Sequence, residues 1–194
     1  FSGILRNGVM HWYPFFADEV GFKKTFIITA NWGFCLLVAG VVGAYITGHI
    51  SDWLFQSRRG PMAGILYAAM AASTVLMGVT LANPELWFVG SAVMVMSMAV
   101  IGVHGILSGT ATADFGGRNT GSAVGVVDGM VYLGAGIQSL VIGHITPVGA
   151  AAKNPDNWFW WPVFLLPFTI VGLVLSLRIW RALPKSRPPA SLAE

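Results

Sequence analysis

Two residues charged at neutral pH stand inside apolar runs: Arg6, in Gly3-Ile4-Leu5-Arg6-Asn7-Gly8-Val9-Met10, and Asp128, in Val126-Val127-Asp128-Gly129-Met130-Val131. A guanidinium presents five donors in a planar fork that can grip two oxygens of a phosphate at once. Arg6 has no carboxylate near it in sequence before Asp18. At ~1.5 Å rise per residue it lies ~22 Å along a helix from Gly21, too deep for its side chain to reach that surface easily. An unpaired cation at such depth costs on the order of several kcal/mol, so it should face a water-filled cavity or a partner. The other reading puts Arg6 at the opposite interface. Asp128 can pair with Arg6, select against more anionic ligands, carry a proton, or sit neutral in a hydrogen bond to a neighbouring helix.

A second charged group is Asp52 with Arg58 and Arg59, a carboxylate closing one apolar run and two cations opening the next. Such a pair can latch two helices together, or the charges can serve only to orient the chain in a membrane. Of the four histidines, His104 is deepest within a run; His49 and His144 lie toward run ends, and His11 follows Arg6 by five residues. No metal-ligand spacing such as H-E-x-x-H occurs, so the histidines read as hydrogen-bonded structural groups, with His11 a candidate for lining a cavity. Tyr132 and Gln138 are further candidate donors to a polar ligand, against a packing role. The single cysteine, Cys35, lies in an apolar run and supports neither a disulfide nor a thiolate metal site. Neither a metal nor a cofactor is expected. No paired carboxylates or nucleophile with its base stand together, which disfavours an enzyme acting on lipid phosphates.

The elements that must hold these groups are membrane helices. Hydrophobic residues make up 55% of the 194-residue chain, charged residues 10%, and the mean hydropathy is +0.70. Boundaries at charge, Pro, Asn and Gly delimit six spans at about 1–20, 25–50, 61–82, 87–112, 120–145 and 158–181. Hydrocarbon offers no partner to backbone N–H and C=O groups, and these runs are too long and uniform for barrel strands, so the fold class is all-α. Residues 1–182 form one bundle and residues 183–194 a tail. The eleven Lys and Arg never make a dense basic face, so a nucleic-acid partner is not expected. They divide unevenly between the two sides, with Arg58, Arg59, Arg118, Arg178, Arg181, Lys185 and Arg187 opposite Lys23, Lys24 and Lys153. The positive-inside rule then makes the first side, and the C-terminal tail, cytoplasmic. Trp158, Trp160, Trp161 and Trp180 bracket the last span as interface anchors would, and Gly121, Gly125 and Gly129 repeat on one face as a packing stripe. Pro14, Pro162 and Pro167 are expected to bend their helices. The chain opens on Phe1 without an initiator methionine, as expected of a piece of a longer protein.

Arg6-Asn7-Gly8-Val9-Met10-His11-Trp12-Tyr13-Pro14 has the pattern R-x-G-V-x-x-W-x-P, and Gly48 to Gly60 the pattern G-x-x-S-D-x-x-F-x-x-x-R-G. Together they resemble the seventh helix and the loop between helices eight and nine of the organophosphate:phosphate antiporters, within the major facilitator superfamily. The resemblance covers nearly the whole chain and implies the C-terminal half of a twelve-helix carrier in the plasma (inner) membrane. It implies exchange of a small organic phosphate for inorganic phosphate by alternating access, with an N-terminal six-helix half as partner. Arg6 inherits the role of one of two arginines that grip the substrate phosphate. Asp128, His11 and Tyr132 are then candidate substrate contacts, and Asp52, Arg58 and Arg59 candidate gating residues. A sensor of phosphorylated sugars on the same fold is the alternative. Asp114 to Arg118 also looks like part of some members, while Trp53 departs from the superfamily pattern, which has a cation directly after the aspartate.

Overall fold

Apolar runs of this length satisfy their backbone only by coiling, and the computed structural model of the chain, which describes residues 1–22, 27–81, 86–113 and 117–182, is helical along almost all of them. The helices are α1 (Ser2–Met10), α2 (Trp12–Glu19), α3 (Ile27–Ala30), α4 (Trp32–Phe55), α5 (Arg59–Thr80), α6 (Leu86–His104), α7 (Thr120–Ile145) and α8 (Trp160–Arg178). α6 runs on into a π-helical stretch, Gly105–Ala111, and short 3-10 turns precede α7 and α8. Among the described residues, five helices are long and apolar enough to cross a membrane. The first span is the exception, because it is broken at His11 into α1 and α2. Pro14 explains the break: without an N–H it leaves the Met10 carbonyl without its helical donor. The Trp32 indole donates to that carbonyl at 3.0 Å, so α4 seals the gap.

α5 lies between α6 and α8, α4 packs on α6, and α1 packs on α7. The core is made of Leu5, Val9, Phe16, Met70, Met96, Trp161 and Leu165, all 1% exposed or less. α6 is the innermost span, with 61% of its apolar window buried, whereas α4 and α7 each bury only 17% of theirs. Two faces of the bundle therefore stand open.

Close crossings are made by glycines other than the expected ones. A Cβ at Gly3 would lie 1.9 Å from the Val131 carbonyl oxygen, and one at Gly60 2.4 Å from that of Ile179. A Cβ at Gly121, Gly125 or Gly129 would meet nothing within 4 Å, so among the described residues the stripe makes no close helix crossing. The tryptophan reading also needs correction, since Trp158 and Trp161 are 2% and 1% exposed and belong to the core. Their indoles donate to Ala152 and Gly8 carbonyls at 2.8 and 2.6 Å, which lets rings with a polar edge sit inside. Trp160 and Trp180 keep the exposure an interface anchor needs. The second span is longer than its hydropathy suggests: α4 continues through Asp52 to Phe55 and ends on Gln56 and Ser57, both with positive φ. Lys23, Lys24, Asp114 and the 183–194 tail lie outside the described residues.

Candidate functional site

α1 turns Gly3, Ile4, Leu5, Gly8 and Val9 inward, which leaves Arg6 and Asn7 on its more open side. Asn7 is clamped to α7: its amide donates to Gln138 Oε1 at 2.6 Å and to Ser139 Oγ at 2.7 Å. Gln138 is fully buried by this contact, so it supports α1 instead of offering a donor to a ligand through open space. The clamp fixes the backbone next to Arg6. Arg6 itself is half-buried, and among the described residues no hydrogen bond or carboxylate partner engages its guanidinium.

Asp128 approaches the same region from α7. Its Oδ1 accepts a short hydrogen bond from Ser108 Oγ and lies 3.9 Å from His104 Nε2. His104 ends α6, and Ser108 sits in the π-helical stretch that continues it. A π turn carries an extra residue and displaces the side chains after it, a device found often at functional sites. The carbonyls of the wide turn are taken up locally, with Thr110 Oγ1 donating to Ile106 O at 2.9 Å and Thr112 Oγ1 to Gly109 O at 2.8 Å. Arg6 is within electrostatic reach of His104. Three helices thus bring together a guanidinium, an imidazole, a carboxylate and a hydroxyl inside an apolar bundle.

The other expected contacts share this side without touching the cluster. His11 is exposed at the α1–α2 break, one turn beyond Asn7. Tyr132 is one turn beyond Asp128 and 67% exposed. Sequence reasoning missed His104 and Ser108 as members. Their four-residue spacing, two polar side chains one turn apart in an apolar run, was the signal available.

At the end of α4, Asp52 Oδ1 accepts from Arg59 Nη1 at 2.8 Å and from Ser57 Oγ at 2.9 Å. Arg59 Nη1 also donates to Ser51 Oγ at 3.1 Å, joining the end of α4 to the start of α5. Arg58 does not share in this pair. The left-handed turn at Gln56 and Ser57 sends the two arginines to different sides, and Arg58 lines a separate cleft with Trp180.

The fold and this geometry define an integral membrane helix bundle with a polar, cation-bearing site within it. No family model matches the chain, and no solved structure matches it. Among curated proteins it is similar to a protein named "Probable hexose phosphate transport protein" from Chlamydia pneumoniae, 25% identical over 190 residues. It is 28% identical over 185 residues to "Membrane sensor protein UhpC" of Escherichia coli. It is 26% identical over 186 residues to the "Glycerol-3-phosphate transporter" of Bacillus subtilis. These matches cover 96%, 91% and 93% of the chain but only 39%, 38% and 39% of the relatives. The chain is a homologue of organic-phosphate transporters and of a membrane sensor, and it spans about two fifths of their length.

Proposed function

We propose that the chain is the C-terminal six-helix half of a secondary transporter of the major facilitator type, which exchanges a small organic phosphate for inorganic phosphate across the plasma membrane. The observation that carries this reading is the Arg6 guanidinium, half-buried on α1 with no partner among the described residues, in a bundle where α6 and α7 bring His104 to 3.9 Å from Asp128. An anion is the partner that such a cation lacks, and a phosphate accepts the fork through two oxygens. The similarity to proteins named for hexose phosphate and glycerol 3-phosphate supports the substrate class.

In the mechanism, a substrate phosphate enters through water and docks on Arg6 and a second cation from the N-terminal half. Asn7, tied to α7, keeps the Arg6 fork from turning away. Asp128, hydrogen-bonded by Ser108 and faced by His104, sets the charge the site tolerates beside the phosphate. His11 and Tyr132 line the path on the open side. The empty site holds uncompensated cations and resists closing, whereas the loaded site is neutral enough to rock between its two access states. Exchange follows, because the carrier returns only when loaded. The Asp52–Arg59 pair latches α4 to α5 on the cytoplasmic side in one of those states, where the C-terminus also lies. It needs neither a metal nor a cofactor.

Counterflow tests the reading. Vesicles holding the complete protein and loaded with radiolabelled phosphate should release it when glycerol 3-phosphate or a hexose 6-phosphate is added outside. Release that no organic phosphate stimulates contradicts exchange. A sensor is the second reading, favoured by the 28% identity to UhpC. It predicts saturable binding of a sugar phosphate without counterflow.

A further inference from the structure

The end of the bundle where α4, α5 and α8 meet carries a cation that the transport mechanism does not use. Arg58 and Arg59 are neighbours, yet Arg59 is engaged by Asp52 and Ser51 while the Arg58 side chain makes no hydrogen bond or ion pair among the described residues. Its Nε is moreover buried without any acceptor. A buried donor left unpaired costs ~1–3 kcal/mol, which an acceptor placed in the adjoining cleft would recover.

Space for that group exists. Arg58 stands in a cleft of about 210 Å³ walled by Leu54, Phe55, Gln56, Pro61 and Trp180. That is well above what a single water needs, as a phosphate with its ester oxygens requires. The walls have two characters: Arg58 and Gln56 supply donors, and the remaining side chains supply apolar surface. Leu54 and Trp180 are 60% and 38% exposed, which leaves the cleft open along an apolar edge. No acidic side chain lies in the first turn of α5 to repel an anion. The position is also that of a membrane interface, since the apolar run of α8 ends at Arg178 and is followed by Trp180 and Arg181.

We propose that this cleft binds the phosphodiester headgroup of an anionic phospholipid, with the Arg58 fork on the phosphate oxygens and the glycerol and upper chains along Leu54 and the Trp180 ring. A soluble phosphate would have no use for the apolar edge, and basic residues at this level attract anionic lipid in any case. The site is separate from the one built around Arg6.

The test is native mass spectrometry of the complete protein released from bilayers of equal phosphatidylglycerol and phosphatidylethanolamine. Phosphatidylglycerol should be retained several-fold over phosphatidylethanolamine. Arg58→Gln should abolish that enrichment, while Arg181→Gln, an exposed cation outside the cleft, should keep it. Millimolar inorganic phosphate should leave the lipid bound. Equal retention of the two lipids by the unaltered protein, unchanged enrichment in Arg58→Gln, or displacement by inorganic phosphate each overturns the proposal. Should Arg58→Gln not fold, Trp180→Leu keeps the cation and removes the ring; enrichment equal to that of the unaltered protein then overturns it.

Discussion

At the scale of single residues, the Arg6 region is a set of polar groups whose value depends on one another. Ser108 and Asp128 share one hydrogen bond from different helices, so their effects on substrate affinity should not add. Combining Ser108→Ala with Asp128→Asn is expected to leave a coupling of about 0.5–3 kcal/mol in a double-mutant cycle of phosphate binding, as for residues within one network. Strict additivity would mean that the two side chains act apart. Asp52 and Arg59 obey a different rule, because Asp52 is 61% exposed and a pair so wet contributes about 0–1 kcal/mol to stability. Asp52→Asn should therefore leave the unfolding temperature nearly unchanged and still slow exchange, as loss of a latch would. A large fall in thermal stability with normal exchange would make the pair a structural tie.

What could be read at this scale was the identity of the odd residues, not their company. Arg6 and Asp128 announce themselves by charge in apolar runs, but the spacing of His104 and Ser108 does not say that both face Asp128, because Ser108 lies in the π-helical stretch Gly105–Ala111. Arg58 and Arg59 look equivalent in sequence. Two residues with positive φ before them decide which one meets Asp52.

At the scale of elements, helix existence was legible because burying an unpaired backbone in hydrocarbon is prohibitive, whereas helix ends and contacts were not. Asp52 is polar, yet it falls in the last turns of α4 because the αL residues that stop the helix come later. The partner of the glycine stripe of α7 was not legible for a similar reason: spacing tells which residues share a face, not what that face meets. Gly3 and Gly125 make the contrast testable. Gly3→Ala must push its Cβ into the Val131 backbone and should cost about 1–3 kcal/mol, as overpacking does, while Gly125→Ala meets open space and should cost far less. Thermal unfolding of the two variants in detergent gives the comparison; equal losses would deny the tight α1–α7 crossing.

At the scale of the whole molecule, exposure has two meanings that geometry alone does not separate. Tyr132 on α7 and Val79 on α5 are 67% and 69% exposed, yet the transport reading puts the first beside water and the second beside lipid. With Cys35 replaced, a cysteine at position 132 should react with a charged, membrane-impermeant thiol reagent and be protected by organic phosphate. A cysteine at position 79 should react with neither speed nor protection. Equal labelling of both would leave α7 without a water-facing side. In the proposed transporter the open faces of α4 and α7 are the ones the N-terminal half covers, and the clamp of Asn7 on α7 ties together the two helices that carry Arg6 and Asp128.

The central claim is that the Arg6 guanidinium receives the phosphate, and Arg6→Lys probes it most directly because the charge stays while the two-pronged fork is lost. Phosphate counterflow through vesicles with matched amounts of inserted protein should fall at least about tenfold, a loss of ~1.4 kcal/mol or more in transition-state stabilisation. Counterflow equal to that of the unaltered protein, at equal insertion, would contradict the account.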